Sequence, residues 1–229
     1  MKRVPPSFFG AGTFEDGAPF LVTEFLERGS LFHVLQNSPD IVWRQKLQFA
    51  HDTALGMQHL HSLGSIHRDL KSGNLLVTKG FRIKVADFGT ARLAKAVGAG
   101  GAAVATSRAA DEQSNPLLTT LVGTALWMAP EILFKQPYSQ KADVYSYGIV
   151  LFEILTQSLP WNELPSKFMV NHLDAALREG RRPAIGSHFC GPGFRELMER
   201  CWAQDPAERP SFDEVVKDAV FTSQPADAL

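Results

Sequence analysis

Two short apolar runs, 8–12 and 19–25, flank the turn Glu15-Asp16-Gly17 and predict a strand–turn–strand unit. Gly29-Ser30 breaks the chain, and Ser30 can cap a short helix through about Gln36. Leu47, Ala50, Ala54, Leu55, Met57 and Leu60 recur at helical spacing, which predicts a helix over 43–63 ended by Gly64. Leu75-Leu76-Val77 and residues 82–86 read as short strands around a Lys79-Gly80 turn. From Ser139 onward the pattern is helical, with helices expected over 139–157, 165–178, 193–203 and 212–220 and glycine or proline between them. Residues 94–116 are rich in Ala and Gly and then polar, a composition that predicts a mobile insertion. A strand-rich start before a helical body makes the chain α+β.

Composition excludes several classes. Lys+Arg number 23 against 24 Asp+Glu, so no basic footprint for nucleic acid or an acidic membrane exists. The apolar stretch 144–155 is interrupted by Ser146, Gly148 and Glu153 and is too short to span a bilayer; it reads as a buried helix. Residues 1–6 hold no apolar run of the kind a secretory signal needs. Cys190 and Cys201 form neither a disulfide framework nor a zinc spacing, which fits a reducing, cytoplasmic setting. His59 and His61 lie two apart on a helix and face different ways, so they read as solvated or packing residues. Trp43, Trp127, Trp161 and Trp202 read as core or groove residues, since no basic stripe accompanies them.

Three groups of residues carry chemistry. His67-Arg68-Asp69-Leu70-Lys71-Ser72-Gly73-Asn74 is followed by Asp87-Phe88-Gly89 and later by Ala129-Pro130-Glu131. In this order and spacing they resemble the eukaryotic protein kinase superfamily from about Phe8 to Val220. Lys71 after Asp69-Leu70, and Gly123-Thr124, resemble the serine/threonine type. Cys201-Trp202, Asp205-Pro206 and Glu208-Arg209-Pro210 resemble its tyrosine-kinase-like branch.

The resemblance implies a bilobal fold with a mainly helical C-terminal lobe, Mg-ATP as phosphoryl donor and protein substrates. Asp69 is then the acceptor of the substrate hydroxyl's proton, and Lys71 the cation beside the transferring phosphate. Asn74 and Asp87 supply the hard oxygen ligands that suit Mg²⁺. Thr23 is the residue guarding the adenine pocket, with the backbones of Glu24 and Leu26 on the adenine edge. His67 and Phe88 pack beneath the site. Asp143 fixes the catalytic loop through backbone N–H groups, and Glu131 pairs with Arg209. Thr124 touches the catalytic base. Phosphate added at Thr119 or Thr120 by an upstream activating kinase would pair with Arg68 and order the loop.

The family's glycine-rich loop, its strand lysine and its helix glutamate have no match in the 229 residues. Gly10-Ala11-Gly12 precedes the expected hinge directly and is not that loop. The expected division is one partial kinase domain over 1–229. It comprises small-lobe strands and hinge over 1–26, a large lobe over 27–220 and a tail over 221–229. Weak ATP binding, little transfer and an uncovered apolar strand face are expected of the isolated chain. The alternative is an inactive kinase-fold scaffold.

Overall fold

The computed structural model describes residues 6–87, 92–93, 124–165, 167, 169–188 and 190–222. Strands β1 (Phe8–Thr13) and β2 (Pro19–Thr23) pair antiparallel, with a register shift between Phe8 and Gly10. The turn closes through the Asp16 carboxylate, which accepts from the Ala18 N–H at 2.9 Å, with Gly17 at φ 86°. Phe8, Phe9 and Leu21 of this unit and Phe25 just beyond it are exposed, so apolar side chains stand uncovered here among the described residues.

Residues 24–29, which follow the hairpin, meet the 77–84 stretch through several contacts. The Val77 N–H donates to the Gly29 carbonyl at 2.8 Å. The Arg28 guanidinium lies 3.7 Å from the centroid of the Phe81 ring. Lys84 Nζ meets Glu24 Oε2 at 2.6 Å.

Helix α1 (Leu31–Asn37) starts where Ser30 Oγ accepts from the His33 N–H, and buries Leu31, Val34 and Leu35. Helix α2 (Trp43–Ser62) buries Leu47, Ala50, Ala54 and Met57, and Gly64 follows at φ 71°. Two-residue strand β3 (Ser65–Ile66) pairs with β6 (Arg92–Leu93), and β4 (Leu75–Val77) with β5 (Ile83–Val85). The left-handed residue of the β4–β5 turn is Phe81, at φ 54°, and not Gly80. The Phe81 N–H returns to the Thr78 carbonyl, and its ring lies under Arg28.

Short helix α3 (Pro130–Leu133), which sequence periodicity did not reveal, opens with proline at a position where no N–H is needed. Helix α4 (Lys141–Thr156) buries every residue from Ala142 to Leu155 and is the axis of the lobe. Around it lie α5 (Met169–Arg178), α6 (Phe194–Cys201), α7 (Phe212–Val216) and α8 (Ala219–Thr222). The single helix expected over 212–220 is two. A carboxylate of Asp218 accepts from the Val220 N–H at 3.0 Å and starts a new turn there. Residues 94–116, Phe88, Thr119 and Thr120 lie outside the described residues, as do the readings that rest on them.

Gly148 sets the distance between α4 and α6. A Cβ there would stand 3.0 Å from both the backbone nitrogen and Cβ of Trp202, and 3.2 Å from Cβ of Cys201. Gly148→Ala gains up to about 1 kcal/mol of helix propensity. Overpacking of about 1–3 kcal/mol outweighs that, because backbone cannot swing aside. A net loss of unfolding free energy in urea titration is expected; an unchanged or higher midpoint would contradict the close approach.

Candidate active site

The loop between β3 and β4 is shaped by a carboxylate from the central helix. Asp143 Oδ2 accepts from the His67 N–H at 2.8 Å, and Oδ1 from the Arg68 N–H at 2.9 Å. Asp143 is 1% exposed, so these charge-assisted bonds act in a poorly screened interior. They hold Arg68 at φ 69°, a left-handed conformation that costs a non-glycine residue energy. His61 Nε2 also meets Asp143 Oδ2 at 2.8 Å, and its ring packs edge-on against Phe212. The reading of His61 as merely solvated or packing missed this polar role.

His67 is fully buried and joins two segments of the site. Its Nδ1 faces the Asp69 N–H at 3.3 Å and its Nε2 the Ala86 carbonyl at 3.0 Å. The first bond needs an acceptor and the second a donor, which assigns the proton to Nε2. Asn74 completes the link. Its carbonyl accepts from the Ala86 N–H at 2.9 Å, so Asp87 follows directly from the residue bonded to Asn74. Asp87 is exposed and sits at φ 59°.

Asp69, Lys71, Asn74 and Thr124 converge. Lys71 Nζ donates to Asp69 Oδ2 at 2.9 Å and to Thr124 Oγ1 at 2.9 Å. Asn74 Nδ2 donates to the Asp69 carbonyl at 2.7 Å and to Asp69 Oδ2 at 3.0 Å. One oxygen of the carboxylate is thus doubly held. The other, Oδ1, is buried and has no hydrogen-bond partner among the described residues. Thr124 reaches the carboxylate through Lys71 instead of bonding it directly.

The donor set suits Mg²⁺ when the residues are taken one by one. Asn74 turns its nitrogen toward Asp69, which leaves its amide oxygen as the group able to meet a cation. Asp87 adds an exposed carboxylate from the neighbouring segment. A carboxylate and an amide oxygen are the hard ligands this ion takes, with phosphate oxygens and water filling the remaining positions.

Thr23, the residue expected to guard the adenine pocket, is exposed at the end of β2; of the two residues expected on the adenine edge, Glu24 is partly buried and Leu26 is buried. The Glu24 side chain is spent on Lys84 and on the Ser7 N–H, at 2.6 and 3.1 Å. Chiefly the Lys84 contact holds the Glu24 carboxyl below the usual carboxylate range. Its N–H donates to the Ser7 carbonyl at 2.8 Å. Away from the loop, Glu131 and Arg209 pair through two bonds of 2.6 and 3.0 Å, the pairing that the family resemblance implied.

The helical lobe, the loop fixed by Asp143 and the cluster around Asp69 define a protein kinase. A family model described as protein tyrosine and serine/threonine kinase matches residues 6–219, and the chain belongs to that family. The chain is 40% identical over 212 residues to the probable serine/threonine-protein kinase drkD of Dictyostelium discoideum, a match covering 91% of this chain and 14% of that protein. It is 39% identical over 199 residues to the serine/threonine-protein kinase STY17 of Arabidopsis thaliana, covering 86% and 31%. It is 36% identical over 198 residues to the serine/threonine/tyrosine-protein kinase HT1 of the same plant, covering 86% and 45%. The chain therefore spans less than half the length of these curated relatives. No helix among the described residues is long and apolar enough to cross a membrane.

Proposed function

We propose that this chain is the substrate-side body of a protein serine/threonine kinase that moves the ATP γ-phosphoryl group to Ser or Thr hydroxyls of proteins. The observation that carries the reading is Asp69 Oδ1, a buried carboxylate oxygen without a hydrogen-bond partner among the described residues, beside Lys71. A buried polar atom in that state is costly unless something binds it. A substrate hydroxyl is the fitting partner, since it needs a proton acceptor and an in-line orientation. As the hydroxyl oxygen forms its bond to phosphorus, the bond to the ADP oxygen breaks and the hydroxyl proton passes to Asp69 Oδ1. Asn74 keeps the carboxylate fixed through Oδ2. Lys71, already held between Asp69 and Thr124, stabilises charge on the phosphoryl oxygens.

Asn74 and Asp87 would hold Mg²⁺, which supplies charge neutralisation across the phosphates when bound. Thr23 and the backbones of Glu24 and Leu26 would face the adenine. Thr119 and Thr120 are the proposed activating sites, read by Arg68. The names of the relatives support serine and threonine as acceptors.

The test is transfer of labelled γ-phosphate to a mixed protein substrate, followed by phosphoamino-acid analysis. Label on serine and threonine, lost when Mg²⁺ is chelated and lost in Asp87→Asn, is expected of a form that carries a whole kinase domain. ATP binding without any transfer in that form would overturn the reading in favour of a scaffold.

A further inference from the structure

Glu153 is a buried carboxylate that the proposed reaction does not use, and both of its oxygens are engaged. Ser72 Oγ donates to Oε1 at 2.7 Å, and Trp127 Nε1 donates to Oε2 at 2.6 Å. Exposure is 2% for Glu153, 0% for Ser72 and 8% for Trp127. Ser72 directly follows Lys71, and Trp127 lies three residues beyond Thr124. Lys71 and Thr124 meet each other at 2.9 Å. The contacts therefore close a ring. It runs from Glu153 to Ser72, along one residue to Lys71, across to Thr124, and through Trp127 back to Glu153. Ser146, also on α4, adds a second tie by donating to the Trp127 carbonyl at 2.8 Å.

We propose that Glu153 is a positioning residue that locks the Asp69–Asn74 loop to the 124–128 segment through Ser72 and Trp127, and so sets where Lys71 and Thr124 meet. Its functional consequence rests on Asp69 and Lys71 being the reacting groups. The measurement below reads backbone opening, so either can fail alone.

The chemistry of the two donors makes the lock sensitive to protons. Burial pushes the Glu153 carboxyl up to about 7, against the opposing pull of the Ser72 and Trp127 bonds. Among the described residues no charged side chain figures in the groups acting on it; those from the loop and from the 124–128 segment are Ser72 and Trp127. Indole N–H can only donate, so Oε2 stays an acceptor in either state. The proton then resides on Oε1, and the Ser72 hydroxyl rotates to accept. The lock survives protonation and is strongest there, because the buried charge is gone. A raised carboxyl value means that the closed form binds more protons than the open one. Its stability is fully present below the ordinary value of 4.5 and is lost as pH rises through about 7.

Amide hydrogen exchange on the full chain, corrected for intrinsic rates, tests this in peptides covering 66–77 and 124–134. Trp127→Phe leaves Oε2 buried without a donor and is expected to speed exchange about tenfold in the 66–77 peptide, across the ring from the substitution. Ser72→Ala is expected to do the same to the 124–134 peptide. Glu153→Ala should open both. Wild-type protection in both peptides should fall between pH 5 and pH 7 and level off above. Glu153→Gln, which has no proton to titrate, should flatten that profile. Ser72→Ala and Trp127→Phe that each loosen only their own segment would overturn the lock, even if Glu153→Ala cannot be folded. A pH profile that persists in Glu153→Gln would overturn the proton dependence.

Discussion

Arg209→Met is expected to lower the unfolding free energy by about 3–5 kcal/mol, the usual cost of breaking one side of a buried ion pair. Side-chain exposure is 0% for Arg209 and 6% for Glu131. The guanidinium also donates to the carbonyls of Ala203 at 2.9 Å, Lys141 at 3.0 Å and Gln204 at 3.3 Å. Its removal therefore strands a carboxylate and takes one donor from each of three carbonyl groups. Methionine keeps much of the apolar length, so loss of volume contributes little. The double variant Glu131→Leu with Arg209→Met should recover part of the loss, because the stranded charge has gone. It should not recover all, since the three carbonyls still lack the guanidinium donor. Denaturant unfolding of both single variants and the double gives the coupling directly. Losses that simply add would mean the pair is not acting as a unit. The pair ties α3 to the turn before α7, and α3 follows directly from Trp127, Met128 and Ala129. Loss of the pair should therefore also loosen the segment that carries Thr124.

The site was legible in the sequence wherever chemistry demands a residue type at a fixed chain distance. Asp69, Lys71 and Asn74 lie within six residues of one another, so local backbone geometry already brings them together. Asp143 and the Glu131–Arg209 pair were legible only through resemblance to the kinase family, because their partners are 75 to 78 residues away. Glu153 left no such trace. It sits near the end of an apolar helix, ten residues from Asp143, and read in isolation it merely interrupts a hydrophobic run. The signal that could have found it is that interruption itself: a charged residue on an otherwise wholly buried helix needs partners. Asp52 was missed because its helix carries many polar letters, among which one buried carboxylate does not stand out. It lies in α2, 1% exposed, and holds the Arg82 guanidinium through bonds of 2.6 and 2.7 Å.

Elements were read best where capping or periodicity is local, and worst where a tertiary contact decides. Ser30 and Gly64 bound α1 and α2 as their residue types imply. The break between α7 and α8 depends on one Asp218 side chain, which also meets Arg200 on α6. No window of hydrophobicity registers that. The left-handed Phe81 defeats a rule that assigns such angles to glycine. Its ring is held by Arg28 from the turn after β2, a contact 53 residues distant.

Asp69→Ala should lower phosphoryl transfer by roughly 10²–10⁴-fold, the range for loss of a positioned proton acceptor. Asp69→Asn should fall nearly as far. The amide preserves shape but can no longer accept a proton, and it sets a donor nitrogen where Oδ2 now accepts from Lys71 or at Oδ1, where the proposed hydroxyl would bind. The Asn74 contact divides the two variants. Asn74 Nδ2 donates to Oδ2 of the side chain and to the Asp69 carbonyl, so Ala loses one bond and keeps the other. The loop should therefore stay formed, anchored independently by Asp143 on His67 and Arg68. The expected result is a fall in kcat with little change in KM for ATP, measured in a form that carries a whole kinase domain. A group needed only in the transition state gives that split. Asp143→Ala gives the contrast, because it releases two loop N–H groups at once and should raise KM and lower stability together. Near-normal turnover in Asp69→Ala, with the loop shown intact by hydrogen exchange, would remove Asp69 from the reaction and leave its unpartnered oxygen unexplained.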